Sequence, residues 1–174
     1  MSSGCRCPSL RACGFTLIEV VVTVALVGIL AATATPLYEV VSTRMKESEL
    51  RLALRTIRTA LDRYKAAVDS HAIPVQSGES GYPSSLLVLE NGVDAGVQNA
   101  INLNGQPNAT RRLVFLRHVP RDPFNTDPNV SADQTWNIRS YGSPPDDPQP
   151  GADVYDVSSK STRIGLDGVP YNQW

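Results

Sequence analysis

Beyond residue 13 the chain contains no cysteine, since Cys5, Cys7 and Cys13 are its only thiols. If that first stretch is removed, the remainder has no disulfide framework and its globular part must hold together by packing. Cys5-Arg6-Cys7 has no histidine pair or second cysteine pair nearby to complete a zinc site, so chance spacing in a discarded leader is the simpler reading. Histidine is nearly as scarce. His71 and His118 stand apart from any recognisable nucleophile or carboxylate motif, and nothing else suggests catalysis, so the chain reads as not an enzyme. A net charge of -1 gives no basic footprint for nucleic acid, and no DNA- or RNA-binding motif appears. Asn108-Ala-Thr110 and Asn129-Val-Ser131 match glycosylation sequons only at the level of chance.

What is present is unevenly distributed. Val20 to Tyr38 carries no charged residue, whereas Arg44 to Lys65 is dense with charge. The apolar run begins at Phe15, and 24 residues from there to Tyr38 make a helix of about 36 Å, enough to span a bilayer. Arg6 and Arg11 on its N-terminal flank predict a cytoplasmic leader with everything after Tyr38 outside. Glu19 is the anomaly, because a carboxylate in such a helix costs about 2.5–3.5 kcal/mol on insertion scales and needs a partner or a function. A cut between Gly14 and Phe15 would free an α-amine four residues before it, able to neutralise Glu19 within one helix or between subunits. The bland alternative is a Glu snorkelling to the interface. A secretory signal peptide is the rival, with Phe15–Leu30 as h-region and Ala32-Thr33-Ala34 as cleavage site. Against it stand Glu19 and the helical pattern that resumes beyond Pro36.

From Leu50 the apolar residues fall at Leu54, Ile57, Leu61, Tyr64 and Val68, in steps of four and three, which is one face of a helix. That stripe needs a partner, most simply a sheet of the same chain. Eleven of the thirteen prolines lie after Ala72, where the texture turns from rod to looped globule. Tyr82–Leu89 begins like a short helix capped by Ser84 or Ser85, and Thr110–Val119 reads as another helix stopped by Pro120 and Pro123. Thr135–Tyr141 and Val154–Ser158 read as strands, joined by an exposed proline-rich loop over Gly142–Asp153. The expected fold class is α+β: a long N-terminal helix packed against a small antiparallel sheet, with a loop-rich C-terminal region burying Trp136, Ile138 and Tyr155 with the stripe.

Gly14-Phe15-Thr16-Leu17-Ile18-Glu19 resembles the processing site of type IV pilins and of the pseudopilins of type II secretion. The resemblance implies cleavage after Gly14 by a prepilin peptidase, N-methylation of Phe15, and assembly guided by Phe15 and Glu19. Gly28 and Pro36 fall where that family places helix-weakening residues. Many such leaders have a basic residue near the cut, where this chain has Ala12-Cys13. Tyr82-Pro83, Val119-Pro120-Arg121-Asp122-Pro123-Phe124, Val154-Tyr155-Asp156-Val157, Asp167-Gly168 and Trp174 look more like the major, G-type pseudopilin than a pilus pilin. The cysteine-free head also leans away from adhesive pilins, which commonly close a C-terminal loop with a disulfide.

The organisation this implies is a leader over 1–14, a transmembrane and filament-core helix over 15–38, an amphipathic helix over 39–71 and a periplasmic head over 72–174. The implied function is a structural subunit that polymerises through its N-terminal helix into the periplasmic filament of a type II protein secretion system. The implied partners are further copies of itself, minor pseudopilins, an inner-membrane assembly platform, prepilin peptidase and the inner membrane, with no nucleic acid. The alternatives are a type IV pilus pilin for adhesion, motility or DNA uptake, and a membrane-tethered binding module that never polymerises. The resemblance further implies calcium in the C-terminal loop, at Ser159 and Asp167, with Asp156 as a further acid. The sequence departs there: Val-Pro-Tyr-Asn-Gln-Trp follows Asp167-Gly168 where the family has an acidic run, and an Asp-Gly turn without an ion is the alternative.

Overall fold

The computed structural model describes residues 14–75, 78–95 and 112–174, with the side chains of 33–37 outside that description. The leader residues before Gly14, its three cysteines included, therefore lie outside the described residues, as do Thr110 and the sequon at Asn108. Helix α1 spans Leu17–Asp69, and the backbone at both Gly28 and Pro36 lies within it. The chain divides into two compact units, residues 1–42 and 43–174.

In the first unit α1 opens on a cap. Thr16 precedes the first helical residue, its Oγ1 accepts from the Glu19 amide at 3.3 Å, and its carbonyl accepts from the Val20 amide at 3.2 Å. Thr-x-x-Glu is the signature of a capping box, so Thr16 and Glu19 have a local reason for their spacing besides any role in assembly. Phe15, just ahead of the cap, is 81% exposed, and downstream of it the apolar side chains are uncovered all the way round, with Leu17 83% and Leu30 69% exposed.

The second unit is built on the continuation of α1. Leu50, Leu54, Ile57, Leu61 and Tyr64 are buried as the stripe requires, with Val68 packed beside them. Ala53 and Ala60 are buried too, which widens the face beyond the apolar pattern alone; their small side chains let the head approach the helix closely. Helix α2, Leu86–Asn91, follows Ser85 at the cap position and inserts Leu86 and Leu89 into the same core. Strands β1 (Val93–Asp94) and β2 (Arg112–Leu113) form one antiparallel pair, and β3 (Trp136–Arg139) and β4 (Asp156–Ser159) form another. The register of the second pair sets Trp136 opposite Ser159 and Ile138 opposite Val157. Two small antiparallel pairs thus stand where one sheet was expected, within the α+β class.

One expected helix is absent. Over residues 112–119 the chain is β2 followed by loop, because its donors are spent on α2. The amides of Phe115 and Leu116 both donate to the Leu89 carbonyl at 3.0 Å, and the Val119 amide donates to Glu90 Oε2 at 3.0 Å. The first two satisfy the Leu89 carbonyl in the last turn of α2, and all three leave no i→i−4 ladder over this stretch. The close approach depends on Gly92, at φ 76°, where an added Cβ would lie 2.7 Å from the Leu113 carbonyl oxygen. Strand ends shift for similar reasons. Thr135 belongs to a 3-10 turn, and the Val154 amide is taken by the Pro83 carbonyl at 2.8 Å before β4 begins.

Candidate assembly segment and C-terminal clamp

Gly14 and Phe15, the expected cleavage residues, lie exposed immediately ahead of α1, and Glu19 is exposed on its first turn. No helix or turn is assigned at Gly14 or Phe15, so the Gly14–Phe15 bond lies just outside α1. The expected membrane span runs through residues 33–37, whose side chains are not described, and among the described residues no helix is long and apolar enough to cross a membrane.

The candidate calcium residues are not brought together. Arg58 Nε donates to Asp156 Oδ1 at 2.8 Å, Arg51 donates to Asp167 Oδ2 at 3.3 Å, and Ser159 Oγ donates to Asp122 Oδ2 at 2.6 Å. Among the described residues no group of three or more His, Cys, Asp or Glu side chains is placed to hold a metal ion. Calcium needs six to eight oxygens converging on one point, and here each candidate oxygen serves a different partner, so the set does not fit the ion. Asp167 instead shapes a turn. Its Oδ1 accepts from the Val169 amide at 3.1 Å, and Gly168 sits at φ 82°.

What holds the C-terminal segment is α1. Glu47, only 5% exposed, accepts from the Leu166 amide at 2.7 Å and from the Tyr171 hydroxyl at 2.9 Å through one oxygen, Oε1. One turn on, the Arg51 guanidinium lies 4.3 Å from the centre of the Trp174 ring. Two turns further, Arg58 donates to the main-chain oxygens of Val157 at 3.0 Å and Trp174 at 2.9 Å. Glu47, Arg51 and Arg58 recur at helical spacing, so one face of α1 grips the segment along its length. In sequence Glu47 and Arg51 stand at the spacing of an i,i+4 pair on the charged stretch of α1, yet Glu47 is buried. Its neighbours in sequence, Lys46, Ser48 and Glu49, give no sign that Glu47 alone turns inward.

A second missed anchor is Asp122. It is 1% exposed; its Oδ1 accepts from the Phe124 amide at 2.8 Å, and its own amide donates to Thr135 Oγ1 at 3.2 Å. Pro120 accepts from Trp136 Nε1 at 2.9 Å, and Phe124 stacks on Tyr171 at 4.1 Å between ring centres. The segment Val119–Phe124, read from sequence only as a family likeness, is thus where β3, β4 and the C-terminal segment are tied together.

Burial, and then the neighbouring Glu47, pushes the Tyr171 hydroxyl up to about 12 from its ordinary value of 10.0. The folded chain therefore keeps this proton at pH values where the unfolded chain has lost it. The stabilisation is fully present below pH 10.0 and is lost progressively toward about 12. Thermal unfolding followed between pH 9 and 12 should show the melting temperature falling more steeply in the parent than in Tyr171→Phe, which has no proton to lose there; parallel curves would contradict this assignment.

The prokaryotic N-terminal methylation motif matches residues 10–35. The chain is 35% identical over 144 residues to the type IV major pilin protein PilE of Neisseria gonorrhoeae, covering 71% of this chain and 84% of that protein. It is 33% identical over 114 residues to the type II secretion system core protein G of Pseudomonas aeruginosa, covering 64% and 67% respectively. No solved structure matches. The chain belongs to the family of type IV pilins and pseudopilins, as its capped apolar helix and α+β head lead one to expect.

Proposed function

We propose that this chain is a pseudopilin, a structural subunit that polymerises through its N-terminal helix into the periplasmic filament of a type II protein secretion system. The observation that carries the reading is the uncovered apolar run of α1. In one copy Leu17, Ile18, Val24, Val27, Ile29 and Leu30 are each more than half exposed, on every side of the helix. An apolar surface of that extent needs a cover. Before assembly the inner membrane supplies it, with the leader in the cytoplasm and the head in the periplasm; after assembly the same helices of neighbouring copies supply it. Prepilin peptidase cuts after Gly14, Phe15 becomes the N-methylated terminus, and its amine pairs with Glu19 as the helix enters the filament. Minor pseudopilins and the inner-membrane platform are the remaining partners, and the role is mechanical, not catalytic.

A type IV pilus subunit is the second reading, and the likeness to a major pilin over most of that protein's length favours it. The head without cysteine beyond residue 13 favours secretion. A deletion strain and its complemented parent, compared for proteins in the medium and for sheared surface filaments, separates the two. Loss of specific enzymes from the medium with surface pili intact supports the pseudopilin; loss of pili with secretion intact establishes the pilin.

A further inference from the structure

A groove at one end of the head is lined by Arg44, Arg51, Leu52 and Arg55 of α1 and by Leu166 of the C-terminal segment, and its two carboxylates are already engaged, Glu47 by the Leu166 amide and the Tyr171 hydroxyl and Asp167 by Arg51. The cations here differ from one another in one respect. Arg51 and Arg58 are matched to Asp167 and Asp156, whereas the guanidinium groups of Arg44 and Arg55 have no acceptor among the described residues. Its floor is apolar and open to solvent, with Leu52 64% and Leu166 51% exposed. An occupant that suits this surface combines carboxylates with rigid apolar groups.

The same chain carries such a segment at the other end of the head. The loop Gly142–Gly151 contains Asp146, Asp147 and four prolines, holds no basic residue, and is exposed apart from Ser143. Its shape is set from within. Ser143 Oγ donates to the Asp147 carbonyl at 3.0 Å and accepts from the Gln149 amide at 2.7 Å, while the Ser140 amide donates to the Gln149 carbonyl at 3.0 Å. A loop already ordered by prolines and these bonds loses little freedom on docking. Its root, Tyr141, stacks on Tyr82 at 5.7 Å, next to Gly81, where an added Cβ would meet Val68 and Lys65 of α1 at 3.2 and 3.4 Å. The loop therefore leaves the head at the level of Lys65–Val68, about 24 Å along α1 from the middle of the groove at 1.5 Å per residue.

Complementary surfaces at opposite ends of one body make a head-to-tail contact, which propagates into an open array instead of closing as a two-fold dimer. Resting on the filament reading above, we infer that the Arg44–Arg55 groove of one copy receives the Asp146–Asp147 loop of the next, so that the heads as well as the N-terminal helices carry the register of the filament.

Charge reversal tests this in the full chain expressed in its own host. Arg44→Glu with Arg55→Glu, and separately Asp146→Arg with Asp147→Arg, should each lower sheared filament yield about tenfold, since like charges then face each other across the contact. All four residues are exposed, so subunit level and melting temperature should stay at the parent's values. The four changes combined restore the opposite signs and should recover at least half of the parent yield. Single-side losses without recovery in the combined variant overturn the pairing, and undiminished yields overturn the surface altogether. A cysteine pair, Arg55→Cys with Asp146→Cys, gives the direct readout, because no thiol follows residue 13. Mild oxidation of filaments should produce a ladder of linked copies. Linkage that stops at dimers, or none, overturns head-to-tail stacking even where filaments form, whereas a parent that forms no filament overturns the filament reading itself.

Discussion

Trp136→Ala should destabilise the head by about 3–5 kcal/mol, the range for truncating a large aromatic in a packed core. Trp136 is 2% exposed at the start of β3, facing Ser159 of β4. It contributes twice. Its ring is among the largest fully buried side chains of the core around α1, and its Nε1 donates to the Pro120 carbonyl at 2.9 Å. Truncation leaves a cavity and removes the donor of the half-buried Pro120 carbonyl, a bond worth about 1 kcal/mol. In a unit of this size the loss lowers the melting temperature by about 10 °C or more. Trp136→Phe separates the contributions, since it keeps most of the ring and removes the donor, and should cost roughly a third to a half as much. Thermal unfolding of the detergent-solubilised chain, read by near-ultraviolet circular dichroism of the head, measures both. A loss below 1 kcal/mol for Trp136→Ala would show that the strand pair is not clamped through this ring.

Trp136 was legible in the sequence because three signals agreed: alternation along a strand, an aromatic at an inward position, and the proline-rich loop that ends the strand. The stripe on α1 was legible for the same kind of reason, since a 3.6-residue period survives whatever packs against it. Thr110–Val119 misled because its apolar and basic residues satisfy a helical pattern, while the α2 carbonyl that captures its amides is invisible in the linear order. Glu47 and Asp122 were missed because a carboxylate among charged or turn-forming residues carries a prior of exposure. Only the main-chain amides and hydroxyls converging on them from distant segments make their burial favourable. The N-terminal methylation motif was legible because its residues are contiguous. The C-terminal loop was legible in its departure from the family pattern: the missing acids after Asp167-Gly168 correspond to a segment held by α1.

That replacement leads to the second large effect, at Glu47. Glu47→Ala should cost about 3 kcal/mol, because it removes the acceptor of two bonds at once and leaves the buried Tyr171 hydroxyl without a partner. Tyr171 is 1% exposed and stacks on Phe124, so its hydroxyl cannot turn to solvent without unpacking the segment. Glu47→Gln keeps a carbonyl oxygen in place but loses the charge-assisted part of both bonds, and should cost about half as much. Since Glu47 and Tyr171 share a bond, Glu47→Ala combined with Tyr171→Phe should fall short of the sum of the single losses by about 1 kcal/mol. Hydrogen exchange at the Leu166 amide gives a local readout: protection should collapse in Glu47→Ala while amides of β3 and β4 keep theirs relative to global stability. The same samples examine the metal. With Asp156 and Asp167 bound to Arg58 and Arg51, and Ser159 to Asp122, millimolar calcium or excess chelator should leave the melting temperature of the parent within a degree. A rise of several degrees with calcium, reversed by chelator, would mean that the ion outcompetes the arginines and that α1 is not what holds the C-terminal segment. A loss of stability in Glu47→Ala that calcium does not restore would tie the segment to the helix alone.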